Sequence, residues 1–206
     1  MSDGFWKTLF RSNNEKSPSK AACSKKLTFD PKTIVSDAID EAITELGLLE
    51  MAAKPNLEVL VKRCMREGFR AVATAHRKDG AQLDKSEKKE LGIRANAFMS
   101  RQAASELTEK GMESPLKAHF LTLWRADFTI DRARHLLNAS QQDFGRITVI
   151  SGGHKGCTIC ETTSENTFDP CGVSPFPPKG CVNAGCNRMF ISFVDYTAAR
   201  KSKMKG

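Results

Sequence analysis

Residues 157–186, CTICETTSENTFDPCGVSPFPPKGCVNAGC, decide how the chain divides. Cys157 and Cys160 form a CxxC, and Cys181 and Cys186 form a second, wider pair. Between them Asn166, Pro170, Gly172, Pro175, Pro177, Pro178 and Gly180 break helices and build turns, so the stretch has no means of assembling a core of its own. A bound ion supplies the missing stability. Four thiolates at about 2.3 Å close a tetrahedral shell around zinc, and a binding free energy on the order of 10 kcal/mol becomes folding free energy. The expectation is a structural zinc site with Cys157, Cys160, Cys181 and Cys186 as ligands. The first pair has zinc-knuckle spacing. The second is less regular, and Cys171 and His154 lie near enough to replace a ligand. An iron–sulfur centre is the minor alternative.

Strand signals flank this stretch on both sides. Residues 146–151, RITVIS, run into Gly152 and Gly153, and residues 189–194, MFISFV, follow the last cysteine. Paired, they clasp the cysteine module and dock it on whatever precedes it. What precedes it is helical. Asp30 and Pro31 make an N-cap and a first-turn proline, after which Ile34, Val35, Ala38, Ile39, Ala42, Ile43 and Leu46 share a face. Asn56 caps a second helix that carries Leu57, Leu60, Val61, Cys64, Met65, Phe69, Val72 and Ala73 and ends at Lys78, Asp79 and Gly80. A third runs from Asp84 or Ser86 to Lys110 and stops at Gly111, with Leu91, Ala95, Phe98, Met99, Ala103 and Leu107 inward. Ser114 and Pro115 start a fourth with Leu116, Phe120, Leu121 and Trp124 inward, which either breaks near Phe128 and Thr129 or continues through Leu137. The fold class is mainly α: a bundle of four to five helices with a small β-containing, zinc-binding C-terminal module. Its parts are residues 1–28, an aromatic segment with a flexible basic linker; 29–144, the bundle; 145–199, the cysteine-rich module with its strands; and 200–206, a basic tail.

Charge follows this division. The chain carries a formal net charge of +8 over 206 residues. Lys7, Arg11, Lys16, Lys20, Lys25 and Lys26 oppose only Asp3 and Glu15 at the start, and Arg200, Lys201, Lys203 and Lys205 close the chain, so the body between is formally neutral. Tails of this kind hold nucleic acid by screened, nonspecific attraction, if at all. At the N-terminus Phe5, Trp6, Leu9 and Phe10 recur at helical spacing ahead of a polar stretch unable to bury them. They read as a hook for a protein partner, or as a segment that folds back on its own bundle. No apolar run approaches the roughly 18 residues of a membrane span, and the start lacks the apolar region of an export signal, so a cytoplasmic, reducing location is expected. Seven cysteines there favour metal ligation over disulfides.

The order Cys157, Cys160, Phe168, then Pro175, Pro177 and Pro178, then Cys181, Cys186 and Arg188 resembles the C-terminal cysteine segment of phage Mu-type head morphogenesis proteins. The resemblance covers about forty residues and implies a helical region ahead of the cysteines. Cys186, Asn187 and Arg188 depart from the family's contiguous ending; Asp131, Arg132, Arg134 and His135 stand in the area of its charged histidine motif. Catalysis has less behind it. A zinc enzyme drawn on His154 and Glu161 lacks the HxE and PCxxC of a deaminase, and no HExxH, GxSxG or P-loop occurs. Cys64 reads as a small core residue, and His76 and His119 as surface or packed residues. The functional expectation is therefore a non-enzymatic macromolecule-binding protein, adaptor or structural, with a phage head-associated protein and a zinc-dependent enzyme as alternatives.

Overall fold

The computed structural model describes residues 33–150, 167–170 and 189–204. The aromatic segment Phe5, Trp6, Leu9 and Phe10, the Asp30–Pro31 cap, and Cys157, Cys160, Cys171, Cys181, Cys186 and His154 lie outside them.

Among the described residues the fold is mainly α, with eight α-helices and a small sheet. Helix α1 spans Ile34–Leu46 and buries the expected face, Ala38, Ile39, Ala42, Ile43 and Leu46. It ends at Gly47, which adopts the left-handed φ of 61° and donates its N–H to the Ile43 carbonyl. A 3-10 turn, Met51–Ala53, leads into α2, Lys54–Glu67, and α3, Phe69–Lys78, follows at once. The single helix expected from Asn56 to Lys78 is thus two. Gly68, at φ 82° and ψ 145°, turns the chain between them in a conformation that costs a glycine least. Asn56 is no cap either, since α2 begins two residues earlier and its own Pro55 fills the first turn.

The long helix expected over residues 84–110 is also corrected. It is replaced by three short ones: α4, Lys85–Glu90; α5, Arg101–Ser105; and α6, Glu109–Met112. Local capping outweighs the apolar period. Asp84 and Glu87 form a reciprocal capping box, Gly92 turns at φ 65°, and the side chains of Ser100 and Thr108 cap α5 and α6. Met99, Ala103 and Leu107 still reach the interior, whereas Ala95 and Phe98 are exposed.

Helix α7, Ala118–Ser140, is the central member; it starts after Lys117 and not at Ser114 and Pro115, which leaves Leu116 exposed ahead of it, and it runs unbroken through Phe128 and Thr129. It packs on α1, α2 and α3 to one side and on strands β1, Gly145–Ile150, and β3, Met189–Val194, to the other. That is why apolar residues surround it instead of lining one stripe. Ion pairs Glu45–Arg125 at 3.1 Å and Glu41–Arg132 at 3.3 Å run in opposite sequence order, so α1 and α7 are antiparallel. Strand β1 is central, with antiparallel neighbours β3 and the short β2, Thr167–Phe168. The pairing expected between the strands is present: register runs from Gly145 opposite Val194 to Ile150 opposite Met189. Phe128 against Phe190, with ring centroids 5.1 Å apart, seats the sheet on α7. The chain ends its described part in α8, Tyr196–Lys203, whose last turn carries Arg200, Lys201 and Lys203, where cations complement the helix dipole.

Candidate metal centre

Three polar side chains from distant parts of the chain meet at one point inside the helical body. His76 stands in the last turn of α3, Glu106 follows the end of α5, and His119 is the second residue of α7. His76 Nε2 lies 2.8 Å and His119 Nε2 2.7 Å from the same carboxylate oxygen, Glu106 Oε2. The other oxygen, Oε1, accepts from Asn56 Nδ2 at 2.7 Å. The imidazole centroids are 4.8 Å apart.

Backbone bonds hold Glu106 in place. The Glu50 N–H donates to its carbonyl at 2.8 Å, and Leu49 bridges Leu107. Ser100 Oγ donates to the His76 carbonyl at 3.3 Å while capping α5, which ties the end of α3 to the start of the segment bearing the carboxylate. Arg77 Nη1 donates to the Leu116 carbonyl and so fixes the turn that leads into His119.

The cluster is enclosed. The side chain of His119 is 0% exposed, that of Glu106 6% and that of His76 10%. Burial would push the Glu106 carboxyl upward, but the bonds from His119, His76 and Asn56 outweigh it and bring the pKa down to about 2. Burial lowers the His119 imidazole below its ordinary value; the Glu106 bond opposes this and nearby His76 adds to it. The centre therefore combines an ionised carboxylate with a His119 that favours its neutral form. His119 Nδ1 has no hydrogen-bond partner among the described residues. Two imidazoles and one carboxylate, each offering an atom within 4.8 Å of the others, make a cluster capable of coordinating a metal ion. It lies in the helical body, apart from the sheet.

His76 and His119, expected to be surface or packed residues in preference to ligands, are packed, but they share a carboxylate in a group able to coordinate an ion. Asn56 and Glu106 were missed as parts of a site. The available signal was stripe membership: His76 continues the Val72 and Ala73 face, and His119 begins the face of Thr122, Leu123 and Ala126. A polar ring on a buried face needs a polar partner. Nothing in the spacing says which one. Cys64 is buried at 3% exposure, and burial raises its thiol to about 11, so it is a core residue.

His135 makes a second constellation. Its Nδ1 accepts the Ser192 N–H at 3.2 Å and meets Ser192 Oγ at 3.1 Å, while Nε2 is 3.7 Å from Asp131. The ring lone pair is engaged by backbone and the carboxylate stands beyond hydrogen-bond reach, so this group joins α7 to β3 and lacks the geometry of a nucleophile with its base.

On the surface a cleft runs between α3 and α7, lined by Gly68, Phe69, Ala71, Ala75, Phe120 and Trp124. Trp124 contacts both Phe69 and Phe120, with centroids at 5.9 and 5.5 Å. Among the described residues no helix is long and apolar enough to cross a membrane. Comparison with protein-family models, with curated proteins and with solved structures finds no match.

Proposed function

We propose that the chain is a non-enzymatic protein that binds another macromolecule, with its helical body as the frame and the cleft between α3 and α7 as the contact face. The observation that carries this reading is the make-up of that cleft. Phe69, Phe120 and Trp124 line it while Ala71 and Ala75 leave its floor low, and half-exposed aromatics in a concavity are the anchors that dominate protein interfaces. Glu67, Arg70 and Lys78 also line it, a charged rim of both signs around the apolar anchor. The His76, Glu106 and His119 centre, closed by comparison, suits a structural role. In the same reading Cys157, Cys160, Cys181 and Cys186 hold a structural zinc, and Phe5, Trp6, Leu9 and Phe10 supply a second contact. The cysteine and proline order favours one version of it, a phage head-associated protein whose partner is another subunit of the shell.

The experiment is site-specific photo-crosslinking in the native host extract. A photoreactive residue at Ala71, exposed in the cleft, is expected to give a discrete adduct. The same residue at Val59, 59% exposed on α2, should give none, and Thr74→Arg should abolish the first. Equal labelling from both positions, or no adduct from Ala71, rejects the cleft as the contact face.

A further inference from the structure

We propose that His76, Glu106 and His119 bind one divalent first-row transition ion, zinc by preference, which pins the end of α3 and the segment after α5 to the start of α7. The donor set argues for it. Two imidazoles and a carboxylate suit zinc and its neighbours better than calcium or magnesium, which take oxygen shells. Asn56 holds Oε1 and leaves Oε2 to face both rings, which is how a second-shell amide orients a monodentate carboxylate. Protonation states already match: the carboxylate is ionised and the His119 ring favours neutrality.

Distances show what must move. Ligand atoms about 2.0 to 2.1 Å from a tetrahedral ion stand roughly 3.3 Å from one another. The two Nε2 to Oε2 separations, 2.8 and 2.7 Å, open by about half an ångström when the ion replaces the shared hydrogen bonds, and the two imidazoles, whose ligand atoms lie within 4.8 Å, swing to the same spacing around it. Each ring then offers its Nε2 lone pair to the ion and carries its N–H on Nδ1. For His119 this leaves an N–H without a described acceptor, a cost smaller than the return from three ligand bonds. His76, the least enclosed of the three, borders a polar surface depression with Asn56, Arg63, Asp79 and Gln102, which gives the ion its path and a water its place as fourth ligand.

The test uses the full chain, stripped with chelator, its accessible thiols alkylated with iodoacetamide to silence any thiolate site, then dialysed against zinc or cobalt(II). One equivalent of metal per chain is expected to remain, with cobalt giving visible d–d bands and no thiolate charge-transfer band. Zinc should raise the melting temperature by about 5 °C or more, reversibly with chelator. His76→Gln, at the rim and the variant least disturbing to the core, should lose that equivalent and the shift while keeping its circular dichroism; Glu106→Gln should do the same. Alkylated wild-type chain that binds no cobalt, or a folded His76→Gln that binds as much as wild type, overturns the site and leaves a hydrogen-bonded node. The wild-type measurement decides the matter even if both variants fail to fold.

Discussion

Glu106 is the residue on which most of the interior polarity depends. Its carboxylate accepts from His76, His119 and Asn56, so Glu106→Ala removes the partner of three donors at once, the fully buried His119 among them. A loss of about 3 kcal/mol or more is expected in urea unfolding, the scale of a broken buried charged network. The metal-free protein should also respond to acid in a defined order. His119 has its folded pKa below the unfolded value, so its contribution is complete above pH ~6.5 and is lost as pH falls from there towards the folded value. Glu106, brought down to about 2 from 4.5, contributes on the order of 3 kcal/mol above pH ~4.5, lost as pH falls towards 2. Melting temperatures in chelator should therefore decline between pH 7 and 5, and His119→Gln should flatten that segment of the profile. Cys64 makes a separate expectation: with its thiol raised to about 11 inside the core, it should resist iodoacetamide until denaturant unfolds the chain, as peptide mapping would show.

At the scale of elements, glycines set where helices stop and how closely they approach. Gly145 is buried where the chain turns from α7 into β1, and a Cβ there would overlap the Ala139 backbone carbonyl. Gly145→Ala should cost about 2 kcal/mol and lower the melting temperature by several degrees, because neither backbone can give way without moving the sheet off α7. Gly111, whose Cβ would strike the Leu48 carbonyl, should behave alike. These positions also mark what was legible beforehand. The face of α1, the strand signals and their pairing came through because apolar period and burial agree there. Residues 84–110 did not, because Leu91, Met99, Ala103 and Leu107 keep a helical period while Asp84, Ser100 and Thr108 break the backbone into caps. The candidate centre was hidden for a related reason: His76, Glu106 and His119 belong to three elements, and only tertiary packing brings them together.

For the whole molecule, the distribution of charge matters more than its sum. With the body neutral and the surplus at the two ends, any association with nucleic acid should vanish between about 50 and 200 mM salt and show no sequence preference in a mobility-shift titration. The hook expected at the N-terminus has its own readout. Trp6→Ala with Phe10→Ala should weaken association with the crosslinked partner by roughly 2 kcal/mol while leaving the melting temperature of the isolated chain unchanged. A melting temperature lowered by several degrees would assign those rings to the chain's own core instead.

The pairing of β1 with β3 carries a further consequence. Ile150 and Met189 are register partners, so the chain leaves β1 and, after adding β2 at the opposite edge, enters β3 beside the point it left. The covalent link between those points is therefore redundant for holding the two halves together. Across that junction the ladder, the Phe128–Phe190 contact and the Ser192–His135 bonds already bind β3 and α8 to the helices. A protease nick placed between residues 151 and 166 should yield two bands on a denaturing gel and a single peak on native size exclusion, a split protein that stays assembled. The ladder between β1 and β3 thus joins the two halves independently of the peptide that links them.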